Sequence, residues 1–332
     1  MNKLRLNWVD ISKGLGIVFV VIGHTEFFYK NFIYVFHMPL FFIISGFLFN
    51  CDKFRIDYKA FILSRFKRLM IPYFISCIIF YMFWMFIGRH MGENVGKEVS
   101  IFKPLLGIIY ANGINDWLIF NTPLWFLPCL FVAEIIFGGI LYIFNNSQRY
   151  LISGILIATL LGYLVSRVIF LPWGIDIALV SQIFMLTGYV MQKTELIKKF
   201  NNNSIRLTIV FFIIIMIAYF INGRVDMNGR IYKNILLFYM GGVCGSYIVF
   251  IIANCIDHCR KIKSIVIECG KNTLIILIVH SFSFKFVSAA AVFLFHMPLN
   301  LAHQQLWFLY AFVGILIPLY LAELLKYSRM LK

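Results

Sequence analysis

The chain has 332 residues, of which 61% are hydrophobic, 18% are aromatic and only 13% are charged. Soluble domains are about half apolar and a quarter charged, so this composition excludes an ordinary soluble protein and indicates a multi-pass membrane protein. Basic loops at an anionic membrane surface account for the formal charge of +16, and we therefore expect membrane lipids as partners and no nucleic acid.

The N-terminal segment MNKLRLNWVDISKGLGIVFVVIGH contains no small-residue cleavage site, so we expect the first helix to remain in the mature protein. Seven cysteines are scattered along the chain. Apart from a loose pair, Cys255 and Cys259, they lack metal-ligand spacing, so we interpret them as small hydrophobic residues and expect no metal site.

Apolar segments of membrane-spanning length recur along the whole chain. A hydrocarbon core about 30 Å thick requires about 20 mostly apolar residues per helix. About ten segments qualify by this measure, namely 11–28, 35–50, 69–88, 122–144, 150–168, 173–192, 205–222, 231–254, 271–295 and 305–325. Segment 101–113 is too short to span and is expected at the interface. We therefore predict an all-α polytopic membrane protein with a single domain, 1–332.

The distribution of lysine and arginine predicts which side of the membrane the loops occupy. Twenty of the thirty basic residues fall in the ends and loops on the side of the N-terminus, and eight fall in the loops on the opposite side. Cytoplasmic loops carry the excess of basic residues, so an even number of spans places both termini in the cytoplasm.

The first predicted span contains three ionisable residues, Asp10, Lys13 and His24. Charged residues inside spans are costly, so their presence indicates a functional site. Lys13 and His24 are eleven positions apart, which places them on one helix face about 16 Å apart along the axis. Asp10 is close enough to pair with Lys13. Alternatively, Lys13 extends to the cytoplasmic interface and has no further role.

The second predicted span begins with His37, only a short turn after the first span ends. Two antiparallel neighbours would bring His24 and His37 to a similar depth in the membrane. A single membrane histidine is often an interhelical hydrogen-bonding group, but two at matched depth favour a catalytic or substrate-positioning pair.

A basic segment, CDKFRIDYKAFILSRFKRLMIPY, precedes the third predicted span. If Ser64–Met70 is helical, Arg65 and Arg68 point the same way at the cytoplasmic face. Guanidinium groups suit phosphate oxygens, although a topology-setting basic cluster explains the same pattern.

Later segments contribute further candidate residues. Trp125 opens the fourth predicted span, where a tryptophan is typical of the membrane interface. His280 lies seven positions after Thr273 in the ninth predicted span and shares its face, so we expect His280 to point into the helix bundle.

These motifs resemble acyltransferase family 3, whose membrane proteins O-acetylate bacterial polysaccharides, lipopolysaccharide and related glycans. The matching stretches are DISKGLGIVFVVIGH, FHMPLFFIISGF, RFKRLMIPY, PLWFL and GKNTLIILIVH. Lys13 stands where arginine is commoner in the family, an exchange that the motif allows. The chain looks like the stand-alone form, without a fused extracytoplasmic esterase-like domain.

The resemblance implies a bacterial cytoplasmic-membrane O-acyltransferase with acetyl-CoA, or another acyl-CoA, as a co-substrate, a glycan acceptor and no permanently bound cofactor. It implies that Arg65 and Arg68 hold the donor phosphates and that the donor arm enters past Asp10 and Lys13. His24 or His37 would take the acceptor proton. Trp125, Asn272 and His280 are possible acceptor-binding or supporting residues, with Lys13 and Asn272 also candidates to stabilise the oxyanion.

An acyl-histidine intermediate is an alternative to direct transfer, and the sequence does not choose between them. No Gly-x-Ser-x-Gly elbow is present, so we reject a serine acyl-enzyme. Two other classes remain as alternatives: a glycan transporter or polymerase without acyl-CoA chemistry, and a non-catalytic scaffold.

Overall fold

The computed structural model describes residues 6–91, 99–144, 147–194 and 204–330. It is 81% helical. The described residues form no β-strand, and the isolated antiparallel bridge in them joins Asp226 and Ile231. These features confirm the predicted all-α fold. Most of the residues between the predicted spans 173–192 and 205–222 lie outside the described residues.

The helices follow one another with short connections. In chain order they are α1 (Asn7–Gly23), α2 (Lys30–Tyr34), α3 (His37–Phe47), α4 (Cys51–Ile56), α5 (Tyr58–Arg65), α6 (Ile71–Phe86), α7 (Phe102–Tyr110), α8 (Phe126–Ile143), α9 (Gln148–Ser166), α10 (Ile175–Val180), α11 (Gln182–Lys193), α12 (Ser204–Asn222), α13 (Ile235–Asp257), α14 (Arg260–Lys271), α15 (Thr273–Phe293), α16 (Leu299–Gln305) and α17 (Trp307–Met330). Turns of 3₁₀ helix lie at Gly88–His90, Thr122–Trp125 and Pro172–Gly174.

Among the described residues, eight segments are long and apolar enough to cross a membrane: Lys30–Phe47, Tyr58–Phe86, Thr122–Ile143, Gln148–Ser166, Ile205–Asn222, Ile235–Asp257, Thr273–Phe293 and Trp307–Tyr327. A ninth results if α10 and α11, which meet at 56°, form one broken span. The predicted first span corresponds to α1, which has 17 residues and is shorter than any of the eight. The chain is therefore a multi-pass membrane protein, and the orientation of its termini stays a prediction.

The predicted span 69–88 overlaps the end of a longer helical segment, Tyr58–Phe86. This segment starts early because the Asp57 side chain caps it, accepting a hydrogen bond of 2.8 Å from the backbone N–H of Ala60. A π-helical turn at Phe66–Met70 then joins α5 to α6 without a break.

The described residues group into two compact units. Of the described residues, unit 1 contains 6–41, 204–225 and 233–330. Unit 2 contains the intervening chain from Phe42 and the segment Asp226–Tyr232. The predicted single acyltransferase domain, 1–332, stays a prediction.

Within unit 1, glycines let α1 and α14 pack with their backbones in contact. A Cβ atom on Gly14 would lie 2.1 Å from the carbonyl oxygen of Val266, and one on Gly270 would lie 1.9 Å from the carbonyl oxygen of Asp10. No side chain fits at either position without moving a backbone. This packing fixes the part of α1 that carries Asp10 and Lys13.

Candidate functional site

Two histidines of unit 1 are in direct contact. His24 follows Gly23 and caps the C-terminal end of α1, and His280 lies within α15. The Nδ1 atom of His24 is 3.0 Å from the Nε2 atom of His280. Their rings stack with centroids 5.0 Å apart and planes 26° from parallel. The two helices therefore bring together imidazoles that are 256 positions apart in the chain.

The histidines of this region differ in accessibility. His280 is 0% exposed and His37 is 4% exposed, whereas His24 is exposed. The expectation that His280 points into the protein is thus confirmed. His24 is therefore the most exposed of these three residues, and the other two lie in the protein interior.

His37 begins α3 and lies close enough to His24 for charges on the two rings to interact. Its Nδ1 atom is 3.0 Å from the carbonyl oxygen of Ile33. Its ring packs edge-on against Tyr34, with centroids 4.8 Å apart. The similar membrane depth of His24 and His37 stays a prediction; the direct ring-to-ring hydrogen bond of His24 is to His280.

Asp10 and Lys13 form the predicted ion pair on α1. The Lys13 Nζ atom is 3.9 Å from an Asp10 carboxylate oxygen. The Lys13 side chain is 20% exposed and the Asp10 side chain is 8% exposed, so the pair is largely covered by protein. The first helix therefore carries an opposed charge pair near its start and an imidazole at its end.

Arg65 belongs to a polar cluster in unit 2 that the sequence analysis did not anticipate. Its Nε atom is 2.9 Å from a carboxylate oxygen of Glu134 in α8. The Ser45 hydroxyl donates to the other carboxylate oxygen at 2.5 Å. An acidic residue within an apolar span was the available signal for Glu134, since a charge at membrane depth requires a partner.

Arg68 has a different environment from Arg65. The prediction that both point the same way assumed α-helical geometry over Ser64–Met70, but the chain is π-helical from Phe66 to Met70. A π turn contains more residues than an α turn, so it changes the angle between side chains three positions apart. Arg68 is exposed, whereas the Arg65 side chain is 18% exposed and paired.

The remaining predicted residues occupy separate positions. Trp125, in unit 2, is 6% exposed and packs edge-on against Phe126, so its ring lies inside the protein rather than on its surface. Asn272, in unit 1, follows the last residue of α14, and its amide donates to both the backbone and the side-chain oxygen of Glu268 at 2.8 Å. Its N–H donors are thus engaged at a helix end.

A second buried ion pair in unit 2 also escaped the sequence analysis. Arg230 makes two hydrogen bonds, of 2.8 and 3.1 Å, to the carboxylate of Asp176. The side chains are 3% and 0% exposed. The same guanidinium donates to the Asn112 side chain and to the backbone of Asn228. These hydrogen bonds connect the segment Asp226–Tyr232 to the start of α10 and stabilise this part of unit 2.

No three His, Cys, Asp or Glu side chains are grouped as metal ligands in the part of the chain that the structure describes.

A family model described as an acyltransferase domain, Acyl_transf_3, matches residues 6–327. Neither a curated protein nor a solved structure matches the chain.

Proposed function

Because this chain belongs to acyltransferase family 3, we propose that it is an O-acyltransferase that moves an acetyl or similar acyl group from acyl-CoA to a sugar hydroxyl. The family identifies a membrane acyltransferase; the donor, the acceptor and the oxygen specificity are the proposal. The observation that carries it is the contact of the His24 imidazole, on an exposed residue, with the buried ring of His280.

In the proposed reaction, His24 accepts the proton of the acceptor hydroxyl while the hydroxyl oxygen attacks the thioester carbonyl carbon. The new carbon–oxygen bond forms, the carbon–sulfur bond breaks, and the CoA thiolate leaves and takes the proton back from the imidazolium. A neutral imidazole is suited to this exchange because one of its ring nitrogens carries a lone pair that can accept the proton.

Exposure favours His24 over His37 as the reacting base. His37 is buried, and its Nδ1 atom lies against the Ile33 carbonyl oxygen. We assign it to shaping or positioning the acceptor site next to His24. Asp10 and Lys13, on the same helix as His24, then line the approach of the donor arm.

The proposed donor phosphates bind at the basic segment of unit 2. Arg68 is exposed and available to an anionic ligand, while the Arg65 guanidinium forms an ion pair with Glu134. Guanidinium groups of this kind pair well with phosphate oxygens. The excess of basic residues on the N-terminal side supports a cytoplasmic donor, because it predicts that these loops face the cytoplasm. The glycan acceptor and the bacterial cytoplasmic membrane are parts of the proposal that rest on the resemblance to the family.

The proposal is tested by transfer of radiolabelled acetyl from acetyl-CoA to glycan in membranes that contain the wild-type chain, His24→Ala or His258→Ala. His258 is an exposed histidine at the end of α13 and serves as the matched control. We expect the wild type and His258→Ala to transfer label, and His24→Ala to lose activity by roughly 100-fold or more, as for removal of a general base.

Two outcomes would contradict the proposal. Transfer from none of several acyl-CoAs, with a competent glycan acceptor present, would favour a glycan transporter or polymerase. Undiminished transfer by His24→Ala would remove His24 from the chemistry.

A further inference from the structure

The orientation of the His280 ring is fixed by a backbone carbonyl. Its Nδ1 atom is 2.9 Å from the carbonyl oxygen of Ile276, one helical turn earlier in α15. A carbonyl oxygen only accepts hydrogen bonds, so Nδ1 must carry a hydrogen. The ring of Phe284 packs edge-on against the same imidazole, with centroids 5.8 Å apart, which further restricts its rotation.

The opposite nitrogen of His280 must therefore be an acceptor. The side chain is 0% exposed, and an imidazolium without a counter-charge is costly in such surroundings, so the ring is neutral. A neutral imidazole with a hydrogen on Nδ1 has its lone pair on Nε2. The Ser281 hydroxyl lies 3.2 Å from this Nε2 atom and has the freedom to donate to it.

This acceptor favours one tautomer of His24. The His24 Nδ1 atom lies 3.0 Å from the His280 Nε2 atom, and two lone pairs facing each other at that distance would repel. His24 must therefore donate through Nδ1, which places its own basic lone pair on Nε2. The hydrogen bonds run from His24 to His280 to the Ile276 carbonyl, each polarising the next.

We propose that His280 is a positioning residue for the acyl transfer: it holds His24 in the tautomer whose Nε2 atom takes the acceptor proton. This inference rests on the proposed function, in which His24 is the base. When His24 becomes an imidazolium, its Nδ1–H still donates to His280, so the hydrogen bond strengthens as charge develops. A neutral acceptor such as His280 stabilises the imidazolium through this hydrogen bond and needs no further carboxylate in the buried site.

A purely structural role for His280 makes a different prediction, which two substitutions distinguish. His280→Gln keeps an amide oxygen that can accept from His24, whereas His280→Leu fills the space without an acceptor. We expect His280→Leu to lower kcat about tenfold or more with little change in the KM for acetyl-CoA, and His280→Gln to recover most of that loss.

His258→Leu is the matched control, because His258 makes the same type of hydrogen bond, 2.9 Å to the Asn254 carbonyl oxygen, but faces solvent. We expect its kcat to equal that of the wild type. Wild-type kcat in His280→Leu, or equal losses in the Gln and Leu variants with both proteins folded, would overturn the assignment.

Nitrogen NMR of isotopically labelled histidines in the purified wild type measures the tautomer without requiring activity. The His24 signals are identified by their loss in His24→Ala. We expect a protonated Nδ1 and an unprotonated Nε2 on His24; the reverse pattern would overturn the inference. If the tautomer is as expected but the wild type transfers no acyl group, the proposed function fails while the hydrogen-bonded arrangement stands.

Discussion

Glu134 shows how one buried charge can organise its surroundings at the scale of a residue. One oxygen of its carboxylate accepts a hydrogen bond from Ser45, and the other forms an ion pair with Arg65; the side chain is 6% exposed. Desolvation of such a group is repaid only if its partners are fixed. The pair therefore stabilises unit 2 and orients an arginine that we assign to the donor.

Removing the Glu134 carboxylate should leave Arg65 partly buried without its counter-charge. We expect Glu134→Ala to lower the free energy of unfolding by about 3–5 kcal/mol and to raise the KM for acyl-CoA. The comparison is Glu323→Ala, which alters an exposed glutamate. Unfolding in detergent and donor kinetics measure both effects, and a Glu134→Ala protein as stable as Glu323→Ala would contradict this account.

Glu268, in α14, provides a pH-dependent contact outside the spans. A hydrogen bond from Lys326 is the main cause that lowers the pKa of Glu268, and Asn272 adds to it. A carboxylate whose pKa is lowered on folding contributes stability above its unfolded pKa, and that contribution is lost as the pH falls through the folded value.

We therefore expect the wild type to be more stable than Glu268→Gln at pH 7, and the difference to shrink as the pH falls below the ordinary glutamate pKa of 4.5 and to vanish below the lowered pKa of the folded state. The Glu268 side chain is 42% exposed and the Lys326 side chain is 55% exposed, so the difference in stability should stay below about 1 kcal/mol. Thermal unfolding of both proteins across this pH range measures it. A difference that grows on acidification would show that the sign is wrong.

At the scale of helices, hydropathy predicts the spans well because burial in lipid imposes a minimum apolar length. It does not predict the π turn at Phe66–Met70 or the 56° bend between α10 and α11. Both depend on how neighbouring helices pack, which one chain's hydrophobic pattern does not encode. The close packing of α1 on α14 likewise depends on Gly14 meeting a particular backbone carbonyl.

Gly14→Ala tests that packing. The added methyl group would lie 2.1 Å from the Val266 carbonyl oxygen, so we expect a loss of about 1–3 kcal/mol in the free energy of unfolding. Gly139→Ala is the control, because a Cβ atom there has nothing within 4 Å and should be neutral or gain up to about 1 kcal/mol. Equal stabilities of the two variants would contradict the backbone contact between α1 and α14.

For the whole molecule, the helical membrane fold could be predicted from the sequence. The contacts that the candidate residues make with other helices could not. The inward direction of His280 followed from helical spacing, but its contact with His24 did not, since it joins helices far apart in the chain. Glu134 and Asp176 were recognisable as acidic residues within predicted spans, and their partners Arg65 and Arg230 required the fold.

The central claim is that this membrane protein passes an acyl group from cytoplasmic acyl-CoA to an envelope glycan through His24. The most direct measurement supplies radiolabelled acetyl-CoA outside sealed inside-out and right-side-out membrane vesicles that contain the wild type or His24→Ala. We predict glycan labelling only by the wild type in inside-out vesicles, where the cytoplasmic face meets the donor. Equal labelling in both orientations, or by His24→Ala, would contradict the account.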